Sequence, residues 1–141
     1  MPFVVSNGHR LHYEVLDTAA PWHVDPVTIL FHHGIGAESG IWADWVHALA
    51  GRYRLVRFDM RGFGRSEVPE VGFSWSIDLL ARDVLAVADA TQAQHFHFVG
   101  ESIGGTIGLD TNLFSLLLIR CSGKSTRCRQ QEASNDRPLV P

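Results

Sequence analysis

The stretch best suited to covalent chemistry in this sequence is Gly100-Glu101-Ser102-Ile103-Gly104, a G-x-S-x-G motif. It follows a β-prone run and precedes a helix-prone one. A strand reversing sharply into a helix lifts a serine hydroxyl clear of the turn. The reversal strains the serine's backbone and brings the residues two before and two after it into close contact. Glycine at 100 and 104 removes the side chains that would collide there. The helix start behind Ser102 would offer free N–H groups and partial positive charge to a developing oxyanion. That chemistry is acyl transfer through a serine ester. By itself the motif also fits an ordinary glycine-rich turn.

Two further clusters stand at the ends of other apolar runs. The first is His32-His33-Gly34-Ile35-Gly36, after Val27–Phe31. Paired histidines could suggest a metal, but no Asp, Glu or Cys accompanies them at ligand spacing. The second is Asp59-Met60-Arg61-Gly62-Phe63-Gly64-Arg65-Ser66, after Tyr53–Phe58. Its G-x-G neither matches the dinucleotide fingerprint nor opens a helix. Gly123-Lys124-Ser125-Thr126 lacks the earlier glycine of a phosphate loop, with Leu118 in that place. Two cysteines, Cys121 and Cys128, are too few for a zinc site.

The surrounding pattern supplies elements to hold these clusters. Asn7-Gly8 between β-prone runs predicts a hairpin. Val27–Phe31 is continuously apolar, which suits a strand covered on both faces. Ile41, Trp42, Trp45, Val46 and Leu49 fall at helical spacing, with Gly51 as the cap. Ser76 caps a helix running to about Ala90, with Ile77, Leu80, Ala81, Val84, Leu85, Val87 and Ala88 on its apolar face. His95–Val99 is a strand, and a helix begins at Ile103. A hairpin followed by β-α-β-α-β-α predicts an α/β fold with a parallel sheet flanked by helices.

Composition narrows the function classes. The chain has 141 residues, 45% apolar and 19% charged, which fits one globular domain. A net charge of −3 gives no reason to expect nucleic acid as a partner. No apolar run is long enough to span a membrane, and no secretory signal is visible, so a cytoplasmic location without membrane association is expected. Residues 1–109 hold seven Arg, no Lys and twelve acids; residues 110–141 hold five basic residues, three acids and both cysteines. The change marks a boundary. Residues 110–141 are therefore read as an atypical tail, frameshifted or disordered, for which the coding DNA in all three frames is the test.

Taken together, His33-Gly34-Ile35-Gly36, the Asp59–Ser66 segment and Val99-Gly-Glu-Ser-Ile-Gly-Gly105 resemble the α/β-hydrolase fold family over residues 1 to about 109. The likeness is greatest to small esterases and lactonases, such as 3-oxoadipate enol-lactonase. Ser102 argues against relatives that use an aspartate nucleophile. The resemblance implies that Ser102 is the nucleophile and that the backbone N–H groups of Ile35 and Ile103 face the oxyanion. It implies structural roles for His33, Gly34, Gly36, Asp59, Arg61, Gly62, Gly64, Ser66, Gly100 and Gly104. The implied substrate is a small ester or lactone, and no metal or cofactor is needed.

In that family the acid and histidine of the triad follow the serine along the chain. Here no histidine follows Ser102, and Asp110 lies on the same predicted helix. An N-terminal, truncated α/β-hydrolase fold, inactive alone, is the expectation. A hydrolase-like scaffold used for binding is the alternative. Five strands are predicted, with a bare far edge on the last that invites self-association.

Overall fold

A computed structural model of the chain describes residues 2–22 and 25–110, together with the backbone of 118–120. Strands β1 (Phe3–Ser6) and β2 (His9–Asp17) form the predicted hairpin. Asn7 and Gly8 both take positive φ, 46° and 80°, so the two-residue turn twists with its strands. β3 (Thr28–His32), β4 (Arg54–Phe58) and β5 (Phe96–Glu101) follow, linked by α1 (Ala43–Leu49) and α2 (Ile77–Ala90). A single turn of 3-10 helix, Ser39–Trp42, leads into α1, and α3 (Ile103–Asp110) follows β5.

With a short strand β6 at Leu118–Arg120, the sheet order is β1-β2-β4-β3-β5-β6. β3, β4 and β5 are parallel, while β2 joins β4 antiparallel. All five residues of β3 are buried, as a central strand requires. Its side chains alternate between two cores. Leu30 joins Val56, Phe58 and Phe98 beneath α2 and α3, whereas Ile29 and Phe31 join Leu55, Trp42 and Val46 beneath α1.

Three local expectations are modified. β6 (Leu118–Arg120) is a sixth strand, parallel to β5 from Val99 to Glu101. The far edge is therefore bare only over Phe96–Phe98 among the described residues. The helical stripe at 41–49 is split between the 3-10 turn and α1. Trp42 and Val46 reach the core, but Ile41 and Trp45 are exposed. A short helix over a sheet covers only a narrow strip. Leu85 likewise lies outside the buried face of α2. Apart from β6 and the end of α3, the expectations for 110–141 lie outside the described residues. No described helix is long and apolar enough to cross a membrane.

Candidate active site

Ser102 sits between the last residue of β5 and the first of α3, with φ +54°. A left-handed serine is strained and persists only where its surroundings hold it. Its carbonyl accepts the first helical bond, from Thr106 N–H at 3.1 Å, so it acts as the helix cap. The residue is exposed while Gly100 and Gly104 are buried. A β-carbon on Gly100 would collide with the backbone of Gly104, coming within 2.6 Å of its carbonyl oxygen. A β-carbon on Gly104 would meet His32, 2.7 Å from its carbonyl oxygen and 2.8 Å from ring Nδ1. Tight backbone approach thus accounts for both glycines.

The loop after β3 reaches this turn. A β-carbon on Gly34 would stand 3.1 Å from Ser102 Cβ and 3.8 Å from Oγ. Ile35 follows with its side chain exposed, and Gly36 turns the chain at φ +82°. Among the described residues, no carbonyl accepts from Ile35 N–H or Ile103 N–H. Unpaired N–H groups are normal in the first turn of a helix, so the one at Ile103 is free for a ligand.

His33 is wholly buried behind the loop. Its Nε2 accepts the Met60 backbone N–H at 2.8 Å, so its proton lies on Nδ1, donated to Gly34 O at 2.8 Å. Both nitrogens are occupied, leaving no lone pair to deprotonate a serine. Burial pushes its pKa down, against the pull of its bond to Gly34 and of the carboxylates of Asp59, Glu38 and Glu101. His32 is also wholly buried and donates from Nδ1 to His33 O at 2.7 Å. Burial drives its pKa to about 4.

The segment after β4 fastens the neighbouring loops. Asp59 accepts Ser39 N–H at 2.7 Å on Oδ1; on Oδ2 it accepts Arg65 N–H at 3.1 Å and His12 Nδ1–H at 3.0 Å. Burial alone would raise its pKa, but these bonds outweigh burial and hold it low. Gly64, at φ +53°, leaves room for that carboxylate, whose Oδ2 would lie 2.6 Å from a β-carbon there. Gly62 has φ +80°, with Trp75 and Pro69 against it. Ser66 Oγ donates to Asp59 O at 2.6 Å and accepts His12 N–H at 2.9 Å. Arg61 is fully buried and clasps Asp83 of α2 through Nε at 3.0 Å and Nη2 at 2.7 Å.

Ser102, Gly34, Ile35, Gly100, Ile103, Gly104 and His33 are thus brought to one end of the parallel strands. Asp59, Arg61, Gly62, Gly64 and Ser66 form an adjoining brace. His12, Ser39 and Asp83 in that brace escaped the sequence reading. Only Asp83 left a signal: a carboxylate on the apolar stripe of a helix must find a partner. Among the described residues no group of three or more His, Cys, Asp or Glu could hold a metal ion.

The model of the alpha/beta hydrolase fold matches residues 27–110, which contain the Ser102 turn and both loops. The chain belongs to the α/β-hydrolase fold family. It is 40% identical over 108 residues to the Agrobacterium fabrum protein named "Putative carbamate hydrolase RutD", covering 73% of this chain and 38% of that protein. Among solved structures it resembles the enol-lactonase of Burkholderia xenovorans LB400, with TM-score 0.67 and 32% identity over 77% of this chain and 40% of that one. Est816, described as an N-acyl homoserine lactone degrading enzyme, matches with TM-score 0.71 and 30% identity over 96% of this chain and 52% of its own. This α/β-hydrolase chain therefore spans well under two thirds of the length of these relatives.

Proposed function

We propose that this chain supplies the nucleophile and the oxyanion-binding loop of a serine hydrolase acting on small carboxylic esters or lactones. Ser102 is the nucleophile, and Ile35 N–H and Ile103 N–H are the oxyanion donors. The observation that carries the reading is the exposed Ser102 at φ +54°, with Gly34 packed against its β-carbon. Ser102 Oγ attacks the carbonyl carbon and gives its proton to a base. The negative oxygen that results is met by the two N–H groups. Collapse expels the alkoxide, which takes the proton from the base. Water then releases the acyl group by the same steps. The lactone-degrading relatives support an ester or lactone carbonyl, and the carbamate name of the Agrobacterium relative fits the same attack on a heteroatom-bearing carbonyl.

We find no base among this chain's described histidines. His33 and His32 are held by the bonds given above and His12 by Asp59. His9 bonds its own hairpin turn at Asn7 O and His47 its own helix at Ala43 O. His95 and His97 lie just before and near the start of β5, away from its serine end. No histidine follows Ser102 in these 141 residues. The chain alone is therefore inactive in turnover under this reading. A non-catalytic scaffold remains the second reading, favoured by the same lack of a base. We place the protein in the cytoplasm, with the Phe96–Phe98 edge, bare among the described residues, as a route to self-association.

Added imidazole tests the proposal. Offered p-nitrophenyl acetate and imidazole, the 141-residue chain should become acetylated on Ser102, as mass spectrometry reads directly, and Ser102→Ala should abolish the adduct. Without imidazole, a fluorophosphonate should label Ser102 only weakly. Strong unaided labelling would overturn the inactivity. A folded chain that never acylates at Ser102, even with imidazole, would overturn the nucleophile and leave the scaffold.

A further inference from the structure

His32 has no part in the mechanism above, yet it touches both halves of the site. Its ring and carbonyl stand where a β-carbon on Gly104 would be, so it forms the floor under the first turn of α3. Its Nδ1–H is donated to His33 O at 2.7 Å. In a trans peptide the C=O of one residue and the N–H of the next point in opposite directions. Holding His33 O therefore fixes the plane of the His33–Gly34 peptide and carries Gly34 to its place beside Ser102. His33 repeats the device one residue on: its Nδ1–H holds Gly34 O at 2.8 Å, which aims Ile35 N–H the opposite way.

The other ring nitrogen makes the choice of residue informative. His32 Nε2 is buried and has no hydrogen-bond partner among the described residues. The ring packs edge-on against Phe58, with centroids 5.0 Å apart, and lies 6.1 Å from Phe98. A leucine would suit those aromatic neighbours and would leave no orphaned nitrogen in an apolar site, but it would give up the bond to His33 O. A buried polar atom without a partner is costly. A buried group that costs stability invites a reason in function.

We propose that His32 is a positioning residue: through its Nδ1–H it sets the His33–Gly34 peptide, and with it the oxyanion loop, at a fixed distance from the Ser102 turn. This rests on the hydrolase reading of that turn. The ring works in its neutral state, which burial maintains across the physiological range.

Asparagine and glutamine distinguish the two ring positions, because an Asn amide nitrogen overlies Nδ1 and a Gln amide nitrogen overlies Nε2. The assay is the rate of imidazole-dependent acetylation of Ser102 by p-nitrophenyl acetate in the full chain. His32→Asn should stay within about threefold of the parent, whereas His32→Gln and His32→Leu should fall roughly tenfold or more, short of the loss expected for a whole oxyanion donor. Equal acetylation rates in His32→Asn and His32→Gln would overturn the proposal, as would a parent-like rate in His32→Leu. Should His32→Leu fail to fold, the Asn and Gln pair still decides. If the parent chain itself does not acetylate, it is the hydrolase reading that fails.

Discussion

Gly34 and Ser102 stand so close that a methyl group on residue 34 would touch the serine's own β-carbon at 3.1 Å. They lie 68 positions apart in the sequence, and adjacent parallel strands, β3 and β5, bring them together. Gly34→Ala must displace either the loop or the elbow by a few tenths of an ångström. Imidazole-assisted acetylation of Ser102 should fall about tenfold or more, since oxyanion donors act only when well placed. Urea unfolding should change by about 1 kcal/mol at most. Unchanged acetylation would mean that the loop does not bear on the serine.

Gly104 tests the elbow from beneath. A side chain there meets His32 backbone and ring together, and neither is the far end of a flexible group. Gly104→Ala should cost about 2–3 kcal/mol of stability by overpacking, read from the urea midpoint. A midpoint equal to that of the parent would show that the turn is looser than described.

Arg61 and Asp83 form a bidentate pair with both side chains essentially inaccessible, 0% and 1%. Removing one partner leaves a buried charge unpaired. Asp83→Ala should destabilise by about 3–5 kcal/mol, and the loss should separate the 59–66 brace from α2. Thermal or urea denaturation checks the magnitude. A loss below about 1 kcal/mol would show that Arg61 finds water instead.

Acid should weaken the fold in two stages. His32 takes up a proton near its ordinary 6.5 when unfolded but only at about 4 when folded, and His33 is shifted in the same direction. Between those values the unfolded chain binds more protons, so stability is full above about pH 6.5 and declines towards pH 4. His32 contributes roughly 1.4 kcal/mol per pH unit to the slope in that window, and His33 adds in the same direction. Asp59, also held low, extends the loss below its ordinary 3.8. His32→Leu should make the first stage shallower, leaving the share of His33, and leave the second unchanged. Denaturation at a series of pH values reads both; an unchanged slope between pH 4 and 6.5 in that variant would contradict the buried neutral ring.

Much of the site was legible because its constraints are local. Glycines at 100 and 104 follow from the steric demands of one turn, Asn7-Gly8 from the twist of one hairpin, and Ser76 from the unpaired N–H groups of one helix start: Leu79 N–H meets its hydroxyl at 3.1 Å. The two-faced burial of β3 was legible in its unbroken apolar run. The exposure of Ile41 and Trp45 was not, because helical spacing says which residues share a face and not how wide a strip the sheet below can cover.

The order of residues alone settled that β1 to β5 become strands, where the chain must reverse, and that a serine would stand at one reversal. These follow from backbone sterics and short-range hydrogen bonding, which act within a few positions. The tertiary structure decided the rest. Only it seats the loop at 34 against the serine at 102, occupies both nitrogens of His33, joins His12, Ser39 and Arg65 on one carboxylate, and lays Leu118–Arg120 beside β5. Such contacts depend on which strands lie side by side, a consequence of burying the whole apolar set at once that no local stretch encodes.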